Sequence, residues 1–248
     1  MLSDNLTLLK LLVVAGKGSR REIARLIIEK RVAVNGQIVT DFKFNIDIRK
    51  DEVTIDGQRI KLEIYRKIVI MMNKPVDIVS TTSDELGRKT IIDILPLKYQ
   101  GQGLYPAGRL DKDTTGLIIL TNDGDITYQI THPKFEFEKE YLVYTTGELN
   151  NEEINSLEEG ITLDDGITSP AIVKKIKRSP YNYSIILHEG RKRQVRRMFE
   201  KLGHPVLALQ RARIGNLNLD NLAEGKVREL TEAEIKKLLS NVSGNLKE

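Results

Sequence analysis

The chain contains no cysteine. That excludes disulfides, thiolate zinc sites and cysteine nucleophiles, and it suits a reducing compartment. Histidine is scarce as well. His132, His188 and His204 stand far apart and show no metal-ligand spacing, so no metal site is expected. Long apolar runs are missing too. Leu6 to Val14 is apolar apart from Lys10, but it lacks a basic start, follows Asp4 and is interrupted by a charge, which argues against a secretory signal. No stretch approaches the roughly 20 apolar residues that span a bilayer. The expectation is a cytoplasmic protein with no membrane attachment.

What is present reads as an ordinary globular chain with an uneven charge distribution. Hydrophobic residues make up 40% and charged residues 30% of the 248 positions, enough for one large domain or a small one plus a medium one. Residues 1–61 hold 12 Lys+Arg against 8 Asp+Glu, whereas residues 62–248 hold 27 of each. The whole net charge of +4 therefore sits in the head. A basic head before a neutral body points to a polyanionic partner.

The head, residues 1–61, has a clear local pattern. Leu8, Leu9, Leu11 and Leu12 predict a short helix ending near Gly16 and Gly18. Ser19-Arg20-Arg21-Glu22 fits a capping box for a second helix. Ile23, Leu26 and Ile27 supply its buried face at i, i+3, i+4 spacing. Arg20, Arg21 and Arg25 fall on the other faces, with Lys30 and Arg31 at the end. Asn35-Gly36 between apolar runs predicts a hairpin, because both central residues need positive φ. Asp56-Gly57 marks a further turn.

Residues 62–66 read as a linker, 67–239 as a second domain and 240–248 as a polar tail. Lys67 to Pro75 opens the second domain as a buried strand stopped by proline. Further strands are expected at 116–121, 140–145, 171–176 and 183–188, and helices at 125–131, 151–159, 194–202 and 232–239. Strands and helices mix without a βαβ rhythm, which favours an α+β fold with a mixed, mostly antiparallel sheet. Val195, Met198, Phe199 and Leu202 make one buried helical face, and Arg196 lies about 100° round from Val195 at its border.

Three segments carry chemistry. Gly108-Arg109-Leu110-Asp111-Lys112-Asp113-Thr114-Thr115-Gly116 places a carboxylate, Asp111, at the mouth of a buried strand. Phe135-Glu136-Phe137-Glu138-Lys139-Glu140-Tyr141 sets a tyrosine two residues after a lysine. Glu189-Gly190-Arg191-Lys192-Arg193-Gln194-Val195-Arg196-Arg197 opens a helix with five cations. Taken alone, Asp111 reads as a turn cap, Tyr141 as a strand tyrosine and the arginines as a solvated face. In this order, and with Asn73-Lys74-Pro75 and Ser83 to Arg88 before them, they resemble the RsuA family of ribosomal RNA pseudouridine synthases. The head, two short helices with a basic face and then a hairpin, resembles the S4 RNA-binding domain over residues 6–60. It departs from that pattern at Asn5-Leu6-Thr7-Leu8, where basic residues often stand. Gly203-His204-Pro205-Val206 and Arg211-Ala212-Arg213-Ile214-Gly215 look more like members acting on large-subunit (23S) than on small-subunit (16S) RNA.

The resemblance implies conversion of one uridine to pseudouridine. The N1–C1′ bond breaks, the base turns, and C5–C1′ forms. No redox step and no transfer to a second molecule occurs, so no cofactor is implied. Asp111 is the implied nucleophile, attacking either ribose C1′ or pyrimidine C6. Tyr141 is the implied stacking platform, Arg196 the cation that keeps the nucleophile ionised. Arg109 would help hold the displaced nucleotide. Arg20, Arg21, Arg25, Lys30, Arg31, Arg191, Lys192, Arg193 and Arg197 would meet RNA phosphates. The implied partner is ribosomal RNA or a ribosomal assembly intermediate, met by a monomer. Two other readings remain open. A non-catalytic RNA-binding ribosome-assembly protein would need only the head. Asp111-Lys112-Asp113-Thr114-Thr115 also fits the Asp-x-Asp-x-Thr motif of haloacid-dehalogenase-type phosphatases, which use Mg²⁺, but those place the motif after the buried strand rather than before it.

Overall fold

A computed structural model describes residues 5–61 and 66–240; residues 62–65 of the expected linker and 241–248 of the expected tail lie outside the described residues. The chain separates into two units. One comprises Met1–Lys67 with Leu97–Leu104, the other Ile68–Pro96 with Tyr105–Glu248.

In the first unit β1 (Asn5–Thr7) runs into α1 (Leu8–Val14). Then come α2 (Arg20–Ile28), β2 (Val32–Val34), β3 (Gln37–Ile38), β4 (Asn45–Asp47), β5 (Val53–Ile55) and β6 (Gln58–Arg59). The capping box forms as the sequence predicts: Glu22 N donates to Ser19 Oγ, and Ser19 N donates to Glu22 Oε2 at 2.7 Å. Leu8, Leu9, Leu11 and Leu12 pack with Ile23 and Ile27 against Val32, Val34, Ile46 and Val53, a small core closed by the sheet β3-β2-β5-β6. Asn35 (φ 51°) and Gly36 (φ 79°) make the expected turn between β2 and β3. The pairing of β1 with β4 is not foreseen in the pattern, because a three-residue strand carries no period.

The second unit begins with β7 (Val69–Lys74), β8 (Tyr105–Pro106), β9 (Thr115–Thr121) and α3 (Gly124–Thr131). It continues with β10 (Lys139–Thr145), α4 (Asn151–Glu159), β11 (Thr162–Leu163), β12 (Gly166–Ile167), β13 (Ile172–Arg178) and β14 (Tyr181–Leu187). Then come α5 (Gln194–Lys201), β15 (Val206–Ile214), β16 (Leu217–Asn218), β17 (Val227–Glu229) and α6 (Glu232–Ser240). The main sheet runs β13-β14-β10-β15-β9-β7-β17, with β8 beside β9 and β16 beside β15. Its pairings are antiparallel except β15 with β9. The fold is thus α+β with a mixed, mostly antiparallel sheet. Among the described residues no helix is long and apolar enough to cross a membrane.

Two cores flank this sheet. One gathers Val143, Leu157, Tyr183, Ile185, Val195, Met198 and Phe199 under α4 and α5. The other gathers Met71, Leu117, Ile119, Ile126, Ile130 and Leu238 under α3 and α6. β15 feeds both, Leu209 to the first and Ile214 to the second. This central nine-residue strand stands where the sequence pattern predicts none. Its run Gln210-Arg211-Ala212-Arg213 breaks the apolar alternation, and Arg211 is buried through contacts with a strand far away in sequence. Where β15 meets β9 the backbones nearly touch. A Cβ on Gly116 would lie 2.6 Å from Arg211 N and closer still to its carbonyl oxygen, and Gly116 itself has φ 104°. Only glycine fits such an approach.

Candidate active site

The loop between β8 and β9 carries Asp111, and its carbonyls are fastened from below. The ammonium of Lys74, at the buried end of β7, donates to the carbonyls of Pro75 (2.8 Å), Thr114 (2.9 Å) and Lys112 (3.4 Å). Burial pushes this lysine down to about 8, with Asp113 and then Asp111 opposing the shift. Ser80 Oγ donates to Leu110 O at 2.8 Å and accepts from Leu110 N at 3.1 Å. Asp77 N donates to Lys112 O at 2.9 Å, and Thr114 N to Asp111 O at 3.1 Å. The carbonyls of Leu110, Asp111, Lys112 and Thr114 are thereby held, while the Asp111 carboxylate has no hydrogen bond or ion pair among the described residues. It is left for a ligand.

The third sequence motif approaches the same loop from α5. Arg196 is only 11% exposed. It donates to Asp113 O (2.8 Å) and to Val206 O (2.9 Å), and its Nε lies 3.3 Å from the Asp113 carboxylate. Arg193, at φ 51° just before α5, reaches both carboxylate oxygens of Asp113 at 3.1 Å. The direct partner of Arg196 is Asp113, two residues beyond the expected Asp111, with which Arg196 interacts through space. The physical reason is reach, since Arg196 must also satisfy Val206 O on β15. Burial works against the charge on Arg196, and Asp113 and, more weakly, Asp111 support it.

A cleft of about 520 Å³ opens over this arrangement, and Arg109, Asp111, Lys139, Tyr141, Arg193 and Arg211 are among its walls. Tyr141 is partly buried on β10 and packs on the core beneath α5. Arg109 is exposed at the rim. The structure therefore brings Arg109, Asp111 and Tyr141 into one cleft, and Arg196 to the back of its loop.

The remaining cations divide. Arg197 grips Asp165 with two hydrogen bonds of 2.9 Å, and Arg191 bonds Glu189 and the carbonyls of Gly166 and Ile167. Both tie the β11–β12 hairpin to α5 rather than standing free. Lys192 is exposed. In the first unit Arg20, Arg21, Arg25 and Lys30 are exposed, Arg25 lying 3.8 Å from Glu29. Arg31 is engaged, donating to both oxygens of Asp56 (2.7 and 2.6 Å) and to Glu29.

Sequence reasoning leaves four of these groups without a role: Lys74, Asp113, Lys139 and Arg211. Each stands inside a quoted motif, but what each touches is decided by pairs far apart in the chain, which no spacing rule reaches.

Comparison with known proteins identifies the family. Residues 68–201 match the RNA pseudouridylate synthase family and residues 6–53 the S4 domain. The chain is 40% identical to the ribosomal large subunit pseudouridine synthase B of Bacillus subtilis (strain 168), over 92% of this chain and 93% of that one. It is 36% identical to an uncharacterized RNA pseudouridine synthase of Aquifex aeolicus (strain VF5), over 94% and 93%. A crystal structure of a pseudouridylate synthase superposes with a TM-score of 0.66 at 35% identity, covering 94% of this chain and 99% of that one.

Proposed function

The chain belongs to the RNA pseudouridylate synthase family, and on that premise we propose that it isomerises one uridine of large-subunit ribosomal RNA to pseudouridine with Asp111 as nucleophile. The observation that carries the chemistry is the free Asp111 carboxylate, in a cleft shared with Tyr141 and on a loop whose carbonyls from Leu110 to Thr114 are held. A carboxylate with unused lone pairs on a fixed backbone is a prepositioned nucleophile. The substrate assignment draws on the 40% identity to a large-subunit enzyme.

In this reading the target nucleotide leaves its stack and enters the cleft. Tyr141 stacks on the base, a contact worth roughly 1–3 kcal/mol. Arg109 occupies space the base vacates, which offsets part of the flipping cost. Asp111 oxygen bonds to C1′ or C6, N1–C1′ breaks, and the base turns so that C5 bonds C1′. The carboxylate then leaves, the C5 proton passes to solvent, and N1 gains a proton, so atoms balance without a co-reactant. Arg196 and Arg193 act through Asp113 as positioning residues. Arg20, Arg21, Arg25 and Lys30 of the head supply phosphate contacts. With RNA as the partner the chain is read as a monomer, acting in the cytoplasm.

The test is tritium release from large-subunit RNA, naked or in assembly intermediates, labelled at uridine C5. We expect release by the wild-type chain and its loss, by at least about 10³-fold, in Asp111→Ala. Binding without release on every substrate would favour the RNA-binding assembly protein instead.

A further inference from the structure

Two cations in the cleft have no anion. Arg211 on β15 stands directly opposite Tyr141 on β10, so their side chains share one face of the sheet, and Lys139 lies two residues before Tyr141 on that same strand. All three line the cleft. Arg211 is only 3% exposed. Its Nε donates to Leu117 O at 2.7 Å, and its Nη2 is buried with no hydrogen-bond partner among the described residues. Lys139 Nζ donates to Phe137 O at 3.0 Å, and neither cation has an ion-pair partner among the described residues.

The neighbouring strand position shows what a structural arginine looks like in this sheet. Arg213 is bound to Glu138 (2.8 Å), Glu140 (2.9 Å) and Gly215 O (2.7 Å), with its charge fully answered. Arg211 has one carbonyl, and the charge nearest to it from Lys139 has the same sign. Burial, and after it Arg211, pushes Lys139 down to about 8. A buried guanidinium with an idle donor is costly, and a like-charged neighbour adds to the cost. Such a pair makes a site that a negative charge would complete.

The reaction creates a charge there. Whichever carbon Asp111 attacks, the electron pair moves into the pyrimidine. Attack at C1′ expels N1 with its bonding pair, which delocalises onto O2 and O4. Attack at C6 pushes the C5–C6 π pair toward C4, and the charge settles on O4. A base stacked on Tyr141 lies over the strand pair that carries Arg211. A backbone phosphate, kept hydrated and outside the stack, does not reach a group so deeply covered.

We propose that Arg211, assisted by Lys139, donates hydrogen bonds to the pyrimidine carbonyl oxygen on which negative charge develops, acting for the turning uracil as an oxyanion site. This rests on the synthase reading above. The charge exists only between substrate and product, so the pair stabilises the transition more than either end state.

The experiment compares wild-type, Arg211→Met, Arg211→Lys and Lys139→Met on two large-subunit RNA transcripts, one with uridine tritiated at C5 and one with 5-fluorouridine. Fluorine withdraws electrons and stabilises the pyrimidine anion, so less help is needed. The readouts are kcat and KM from tritium release, and the single-turnover loss of intact target 5-fluorouridine by mass spectrometry. On uridine, kcat should fall about 10²–10³-fold in Arg211→Met and about tenfold in Lys139→Met, with KM little changed. Arg211→Lys should recover part of the loss. On the fluorinated transcript each deficit should shrink at least tenfold. Equal deficits on the two transcripts would mean a merely structural role and overturn the proposal. So would a Lys139→Met chain with wild-type kcat, which settles the matter even where Arg211→Met does not fold. Absence of release by the wild-type chain would instead remove the synthase reading on which the proposal rests.

Discussion

A single ammonium group organises the loop that presents Asp111. Lys74 is fully buried and spends its protons on three carbonyls, two of them just after the proposed nucleophile. Lys74→Met leaves the carbonyls of Pro75 and Thr114 without this donor and Lys112 O with Asp77 N alone, a loss of about 2 kcal/mol or more, and loosens the loop that carries Asp111. We expect kcat to fall at least about tenfold while RNA binding holds. Stability carries a second signature. The folded value near 8 lies below the ordinary 10.5, so between them the unfolded chain binds more protons than the folded one. Stability therefore rises as pH climbs from about 8 to 10.5, and the burial penalty is constant below 8. Thermal melts over that range should show a smaller rise for Lys74→Met, the remainder belonging to Lys139. Arg196 marks how far single residues can be read from sequence. Its place at the border of an apolar helical face predicts partial burial, and it is 11% exposed. Its partner Asp113 lies 83 residues away, and no helical period encodes that pairing.

At the scale of elements, legibility follows range. The α2 capping box and the β2–β3 turn are local chemistry, complete within four residues, and both are where the sequence predicts them. The helices α3 to α6 are equally plain in their apolar periods. β15 is not, because its buried side is part polar and its ladder partners come from β10 and β9. The β9–β15 junction is also a tightly packed point of the sheet. Gly116→Ala would force a methyl into the Arg211 backbone at a φ that L residues avoid. We expect a loss of about 2–5 kcal/mol from the collision and the backbone strain together, read as a lower denaturant midpoint with unchanged slope. Activity should fall further than stability accounts for, since the same junction aligns the Asp111 loop with Arg211.

At the scale of the whole molecule the charge asymmetry becomes a prediction about salt. The net positive charge lies in residues 1–61, where Arg20, Arg21 and Arg25 are exposed. Replacing all three by Gln should raise KM and leave kcat at saturating RNA unchanged. The slope of log affinity against log salt should become shallower by about 2, at roughly 0.7 per phosphate contact on single-stranded RNA. An unchanged slope would move the phosphate contacts elsewhere. The order of strands has its own consequence for how the chain is made. β7 opens the second unit, every residue of it is buried, and one of its edges is closed by β17, at the far end of the unit. During translation residues 75–226 must be added before that edge finds its partner, on the order of ten seconds at roughly 5–20 residues per second. Through that interval an apolar strand stands open to any other nascent or unfolded chain. A message broken before codon 227 therefore yields not a weaker enzyme but a sticky one, and the last turns of synthesis are what make the first strand safe.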